Sequence, residues 1–154
     1  MKKRILFVCM GNICRSPAAE GIFIKKLEEK GIADSFIVDS AGMYDYHEGQ
    51  LPDSRMRAHA ADRGYLLTSR SRPVKKSDFT DFDLIIGMDE ENMRFLRANA
   101  PRGTEDKLKL MTEYGINIEA DHVPDPYYGG AYGFELVLDI LEDTCEGLIK
   151  NLKE

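Results

Sequence analysis

The first apolar run, Ile5-Leu6-Phe7-Val8, has strand length and no polar interruption, the pattern of a strand covered on both faces. Beyond it the period lengthens. Ala18, Ile22, Phe23 and Leu27 recur at helical spacing until Gly31, and Ser16 followed by Pro17 predicts an N-cap and a first helical position. Phe36-Ile37-Val38 predicts a second strand, so strand, helix and strand make a right-handed parallel crossover. Gly42 to Pro52 reads as a loop with aromatic and acidic side chains, after which Asp53 or Ser54 caps a helix ending near Arg63 and Gly64. Leu84-Ile85-Ile86 predicts a third strand, Asp89 the cap of a helix through Met93 and Leu96 toward Pro101, and Lys107 to Met111 a short fourth strand. The last helix has the clearest period, with Phe134, Val137, Leu138, Leu141, Cys145, Leu148 and Leu152 on one stripe, where Cys145 is a small core hydrophobe.

This alternation predicts an α/β fold, a four-stranded parallel sheet in the order 2-1-3-4 with helices on both faces. In that order strand 1 lies at the switch point, where connections leave toward opposite faces and a crevice opens at the carboxyl ends of the strands. Whatever follows Val8 sits in that crevice.

Composition narrows the class without changing the fold. A chain of 154 residues, 43% hydrophobic and 31% charged, with no repeat, linker or low-complexity tract, is expected to form one domain over residues 1–154. No apolar run approaches the ~20 residues that span a bilayer, and Met1-Lys2-Lys3-Arg4 leads into a strand instead of a signal-peptide core, so a cytoplasmic protein with no membrane partner is expected. Cys9, Cys14 and Cys145 are too few for a disulfide framework and lack zinc-site spacing, and His47, His59 and His122 are too scattered for a metal site. The net charge of −6 argues against nucleic acid as a partner. Arg70, Arg72, Lys75 and Lys76 are expected to form a local patch that draws in an anionic substrate, with a solvated face an equal reading for the two lysines.

The stretch Cys9-Met10-Gly11-Asn12-Ile13-Cys14-Arg15-Ser16-Pro17 carries the chemistry. A strand feeding a glycine-containing turn at a helix N-terminus places backbone N–H groups and a partial positive charge around an oxyanion. Gly11 is expected to take a backbone conformation closed to other residues. Cys9 at the start of the turn places its sulfur beneath the central atom of a bound phosphate, in a setting that favours the thiolate. Arg15 at the end closes the ring with a planar fork that donates two parallel hydrogen bonds. A structural turn needs neither group. Attack on a phosphate monoester also requires a proton donor for the leaving oxygen, and among many carboxylates Asp125 stands out between Pro124 and Pro126, though a turn-capping aspartate before proline is the plainer alternative.

The motif from Cys9 to Pro17 closely resembles the signature of the low-molecular-weight protein tyrosine phosphatases, and the resemblance extends over essentially the whole chain. It implies a hydrolase of phosphotyrosine and small aryl phosphates, with Cys9 as nucleophile, Arg15 binding phosphate, and Asp125 acting as general acid and then as base for the water that frees a phosphocysteine. It also implies that Met10, Gly11, Asn12, Ile13, Cys14 and Ser16 form the phosphate loop, with Asn12 holding its backbone and Ser16 donating to the thiolate. Tyr127, and Tyr46 across the mouth, would wall a slot deep enough for phosphotyrosine, although Tyr46 and Tyr128 fit partly exposed loop aromatics equally well.

The same resemblance implies no cofactor or metal, tyrosine-phosphorylated proteins as partners, and a monomer or a weakly self-associating chain. Cys14 would form a reversible disulfide with Cys9 that shields the nucleophile. One departure stands out: relatives often carry a histidine to brace the loop asparagine where this chain has Ser69. Arsenate reductases of this fold need two further cysteines that Leu84 to Met93 lacks. Relatives that act on phosphoarginine tend to carry threonine at Ile13 and phenylalanine at Tyr127. A phosphate-binding module without activity would be expected to lose Cys9, Arg15 or Asp125.

Overall fold

A computed structural model describes residues 2–127 and 130–153. Strands β1 (Lys3–Cys9), β2 (Phe36–Gly42), β3 (Leu84–Gly87) and β4 (Leu108–Leu110) form a parallel sheet in the order β2-β1-β3-β4, as the sequence pattern predicts. The helices are α1 (Arg15–Glu29), α2 (Ser54–Asp62), the single turn α3 (Asp78–Asp81), α4 (Glu90–Asn99) and α5 (Gly130–Lys153).

β1 is buried from Ile5 onward, and its side chains alternate between two cores. Ile5 and Phe7 pack with Phe23 and Leu27 of α1 and with Val137 and Leu141 of α5. Leu6 and Val8 pack with Phe79, Phe82, Met93 and Leu96 on the opposite face. Such two-sided burial explains why the run carries no polar residue. Cys9 follows Phe7 in the pleat and therefore faces the α1 and α5 side at the carboxyl end of the sheet.

Three elements differ from the expected pattern. α1 begins at Arg15, with Cys14 in the cap position and no side-chain cap, so Ser16 is not its N-cap. The Ser16 hydroxyl is engaged by Asn12 and Cys9 instead, and Pro17, now third in the helix, is tolerated because the first four N–H groups of a helix have no internal acceptor. β2 continues past Val38 to Gly42 through Asp39 and Ser40, polar residues that hide a strand in a hydrophobicity pattern. The turn α3 is too short to leave a period. Asp53 rather than Ser54 caps α2, accepting from the N–H groups of Arg55 and Met56.

The stripe of α5 lies against α1, and the helix also packs on the 3₁₀ turn Met111–Tyr114. At Gly147 a Cβ would stand 1.8 Å from the Tyr114 carbonyl oxygen, so this mid-helix glycine is present for a close backbone approach. Gly147→Ala, which in an exposed helix interior would stabilise by about 1 kcal/mol, is expected to destabilise this chain by about 1–3 kcal/mol. Thermal unfolding monitored by circular dichroism should show the midpoint falling by several degrees.

Candidate active site

The turn after β1 is held in shape by Asn12, a non-glycine residue with a left-handed backbone, φ 56°. Such a conformation is costly unless its surroundings enforce it. Here Asn12 Oδ1 accepts from the Arg72 N–H at 3.1 Å, while Nδ2 donates to Ser16 Oγ at 2.7 Å and to Ser40 Oγ at 3.0 Å. One side chain thereby ties the loop to α1, to β2 and to the segment around Arg72. Gly11 was the residue expected to need an unusual backbone, but the positive φ falls on its neighbour. The missing Cβ of Gly11 gives room to the His47 ring, which it would meet at 3.1 Å.

The loop carbonyls are engaged on the convex side. Met10 O accepts from the Met43 N–H at 2.8 Å, Gly11 O from Ser71 Oγ at 3.1 Å, and Ile13 O from the Asp53 N–H at 2.7 Å. With its carbonyls turned outward, the loop presents its amides to the concave side, where α1 also begins. Cys9 Sγ lies at the base, 3.4 Å from the Ser16 nitrogen and 3.1 Å from Ser16 Oγ.

Arg15 is 1% exposed, and so large a buried cation must be paired. Its Nη1 donates to Asp89 Oδ2 at 2.6 Å and to the Val123 carbonyl at 3.0 Å. Burial opposes its charge, but Cys9 and the Asp89 carboxylate outweigh it and hold the guanidinium more firmly protonated than usual. Asp89 caps α4 as expected, its Oδ1 accepting from the Asn92 N–H at 2.8 Å. Capping does not account for all of Asp89: the same carboxylate aims Arg15, across 74 residues of chain.

The cavity above Cys9 and Arg15 measures about 260 Å³ and brings together Met10, Gly11, Ile13, Cys14, Tyr46, Asp125 and Tyr127. His47 also lines it, a residue that its sequence context did not single out. Asn12 and Ser16 lie behind the loop, acting through its backbone and through Cys9. Asp125 closes a turn, the plainer reading of its sequence context, and also lines the cavity. Its Oδ1 accepts from the Tyr127 N–H at 3.0 Å and closes the turn, while Oδ2 stands 3.7 Å from Arg15 Nη2. The Tyr127 ring lies beneath the Arg55 guanidinium, whose carbon is 5.2 Å from the ring centroid and 5.0 Å from that of Phe134. Tyr46 is largely exposed and packs on Tyr44. Tyr128 lies outside the described residues. Burial, reinforced by Asp53, pushes the Cys14 thiol well up from its ordinary range.

The expected basic patch is corrected, and the departure at Ser69 is accounted for. Arg72 is not part of a substrate-drawing patch, because its guanidinium is bound to Asp39 and Asp78. Loss of a histidine at Ser69 does not leave Asn12 unsupported, because Ser16, Ser40 and the Arg72 backbone hold it. Among the described residues no group of three or more His, Cys, Asp or Glu side chains is placed to hold a metal, and no helix is long and apolar enough to cross a membrane.

A thiol beneath a loop of amides, with a buried arginine at the switch point of a parallel sheet, is the site of an α/β fold. The chain belongs to the low molecular weight phosphotyrosine protein phosphatase family, whose sequence model matches residues 4–154, and it is a hydrolase of that family. It is 40% identical to a low molecular weight protein-tyrosine-phosphatase of Streptomyces coelicolor, over 100% of this chain and 96% of the relative. The crystal structure of a protein tyrosine phosphatase from Entamoeba histolytica with Hepes in the active site superimposes with a TM-score of 0.97 at 48% identity, covering 99% of this chain and 97% of that one. A Drosophila arginine phosphatase superimposes with a TM-score of 0.89 at 30% identity, over 100% of this chain and 99% of that one.

Asp89→Asn separates the two functions of that carboxylate. Asparagine caps a helix as well as aspartate does, but it lacks the charge that aims Arg15. The α4 cap is expected to survive, but because buried Arg15 loses its charged partner thermal stability should fall by about 2–4 kcal/mol, and phosphate affinity measured by calorimetry should fall roughly tenfold.

Proposed function

We propose that this chain hydrolyses phosphotyrosine in proteins, together with small aryl phosphates, through a phosphocysteine on Cys9. The observation that carries this reading is the convergence in one cavity of the Cys9 thiol, a guanidinium fixed by Asp89, and the Asp125 carboxylate 3.7 Å from that guanidinium. The phosphoryl group sits among the loop amides and the free edge of Arg15, which neutralise its charge and orient the phosphorus over the sulfur. Cys9 Sγ attacks in line, the phosphorus–oxygen bond to the tyrosine breaks, and Asp125 gives its proton to the departing phenoxide. A water then enters from the side the phenol has left, Asp125 takes its proton, and the sulfur–phosphorus bond breaks to release phosphate. The Ser16 groups beside Cys9 stabilise the sulfur as it leaves.

Specificity for a ring follows from the cavity wall. Tyr46 and Tyr127 flank the path to Cys9, and a phosphoryl group on a short serine side chain would not reach the loop. The phosphoproteins it serves are proposed to be cytoplasmic.

Hydrolysis of phosphotyrosine, phosphoserine and phosphoarginine peptides in the presence of EDTA tests this reading. Phosphotyrosine turnover is expected to be lost in Cys9→Ser and to fall roughly 10²–10⁴-fold in Asp125→Ala, the range of a general acid. Preferential turnover of phosphoarginine would move the chain to the class of the Drosophila relative, and bound phosphate with no turnover of any peptide would make it a binding module.

Cys14 lines the same cavity as Cys9, and we read it as a redox partner. Peroxide oxidises Cys9 to a sulfenic acid, Cys14 attacks that sulfur and water is expelled, and two electrons from an external thiol reopen the disulfide. Burial that holds Cys14 protonated keeps it from competing with Cys9 for substrate. After mild peroxide followed by thiol, the wild type is expected to recover most of its activity and Cys14→Ala little of it. Equal recovery would remove the role.

A further inference from the structure

Behind the phosphate loop, on the side away from the cavity, the hydrogen bonds of Asn12 continue to a carboxyl that the chemistry above leaves unused. Asn12 Oδ1 is occupied by the Arg72 N–H, so both amide hydrogens of Asn12 are directed at hydroxyls. Each of those hydroxyls must place its own proton elsewhere. Ser40 donates to Glu20 Oε1 at 2.5 Å, and Ser16 lies 3.1 Å from Cys9 Sγ and 3.4 Å from the Ala41 carbonyl. An unbroken chain of hydrogen bonds therefore links Glu20, Ser40, Asn12, Ser16 and Cys9.

Glu20 is partly buried on α1 and shares its groove with Ser69, which favours its charged form. Asp39 faces it from β2 and Arg72 from the segment after Ser69, while Lys25 and Glu28 share its groove along α1. The Arg72 charge is already divided between Asp39 and Asp78. Burial, with Asp39 adding to it, pushes the Glu20 carboxyl up to about 7 against the pull of Ser40, Ser69 and Arg72.

We propose that Glu20 is a positioning residue for the phosphate loop, its carboxyl ordering through Ser40 and Asn12 the hydrogen bonds that keep Asn12 left-handed and aim the Ser16 hydroxyl at Cys9. A carboxylate accepts strongly from Ser40 and draws the chain into line. A carboxylic acid is a weaker acceptor and brings a competing proton, so the chain slackens. Oxyanion binding therefore weakens as pH falls through about 7. Stability moves the other way. The folded-state value lies above the unfolded one, so the stabilising contribution is full in acid and is lost as pH rises through about 7. Opposite signs separate positioning from a structural role.

The inference rests on the Cys9 loop being the oxyanion site, but its test needs no turnover. Inorganic sulfate is the probe, since it keeps its double charge across the neutral range and any step in its affinity belongs to the protein. Calorimetric affinities and thermal midpoints would be measured for wild type, Glu20→Gln and Ser40→Ala, with the glutamate carboxyls of wild type and Ser40→Ala titrated by carbon-13 NMR. Wild-type affinity is expected to fall roughly three- to tenfold on the acid side, the size of one redirected charge-assisted hydrogen bond. Glu20→Gln should show no such step and, relative to wild type, a higher thermal midpoint on the alkaline side. Ser40→Ala should lack the step while Glu20 still titrates, and it supplies the comparison by itself if Glu20→Gln does not fold. Superimposable wild-type and Glu20→Gln affinity profiles would overturn the proposal. So would a step lost in Glu20→Gln but kept in Ser40→Ala, which would mean that the charge acts through space. Absence of sulfate binding in all three proteins would overturn the oxyanion-site reading itself, a different result from either.

Discussion

A cradle made of backbone amides has to hold its N–H groups inward before any anion arrives, and in this chain the left-handed Asn12 enforces that curvature. Three hydrogen bonds from one amide side chain offset the conformational cost, and each ends on a different part of the fold: α1, β2 and the segment at Arg72. The loop is therefore shaped from behind. Gly42, at the end of β2, allows the same arrangement from the side, since a Cβ there would press on the Met10 carbonyl at 3.0 Å and on Asn12 Cβ at 3.1 Å.

The charged groups follow a common design in which one carboxylate does two jobs with its two oxygens. Asp89 gives one oxygen to the start of α4 and the other to Arg15; Asp125 gives one to the turn at Tyr127 and turns the other toward Arg15. A backbone contact fixes where each carboxylate stands, and that leaves the second oxygen aimed with little freedom to lose. Two acids so placed present the guanidinium to the loop along a defined edge, which a flexible side chain in open solvent could not do.

Local energies oppose function at several of these points. The Asn12 backbone is strained, Arg15 is buried as a cation, and the carboxyl of Glu20 is pushed toward neutrality by its burial. All three surround the loop, whereas the two hydrophobic cores on either side of β1 are apolar side chains in ordinary packing. The sheet supplies the rigidity that lets the strained groups persist.

What the sequence by itself determined is what is local along the chain. The run Ile5 to Val8, the helical period after Pro17 and the stripe of the last helix each repeat over a few residues, and these patterns led to the strand order and to the crevice at the end of β1. Cys9 and Arg15 were legible for the same reason, because seven residues of one turn contain both, and Asp125 because two prolines mark its loop. The tertiary structure alone decided the second oxygen of Asp89, the left-handed residue of the loop, the approach of His47, and the link from Asn12 through Ser40 to Glu20. Those contacts join residues that are 74 positions apart in one case and 28 in another. A hydrogen bond between distant segments imposes no period and no neighbouring composition, so the chain carries no trace of it until the sheet brings its partners together.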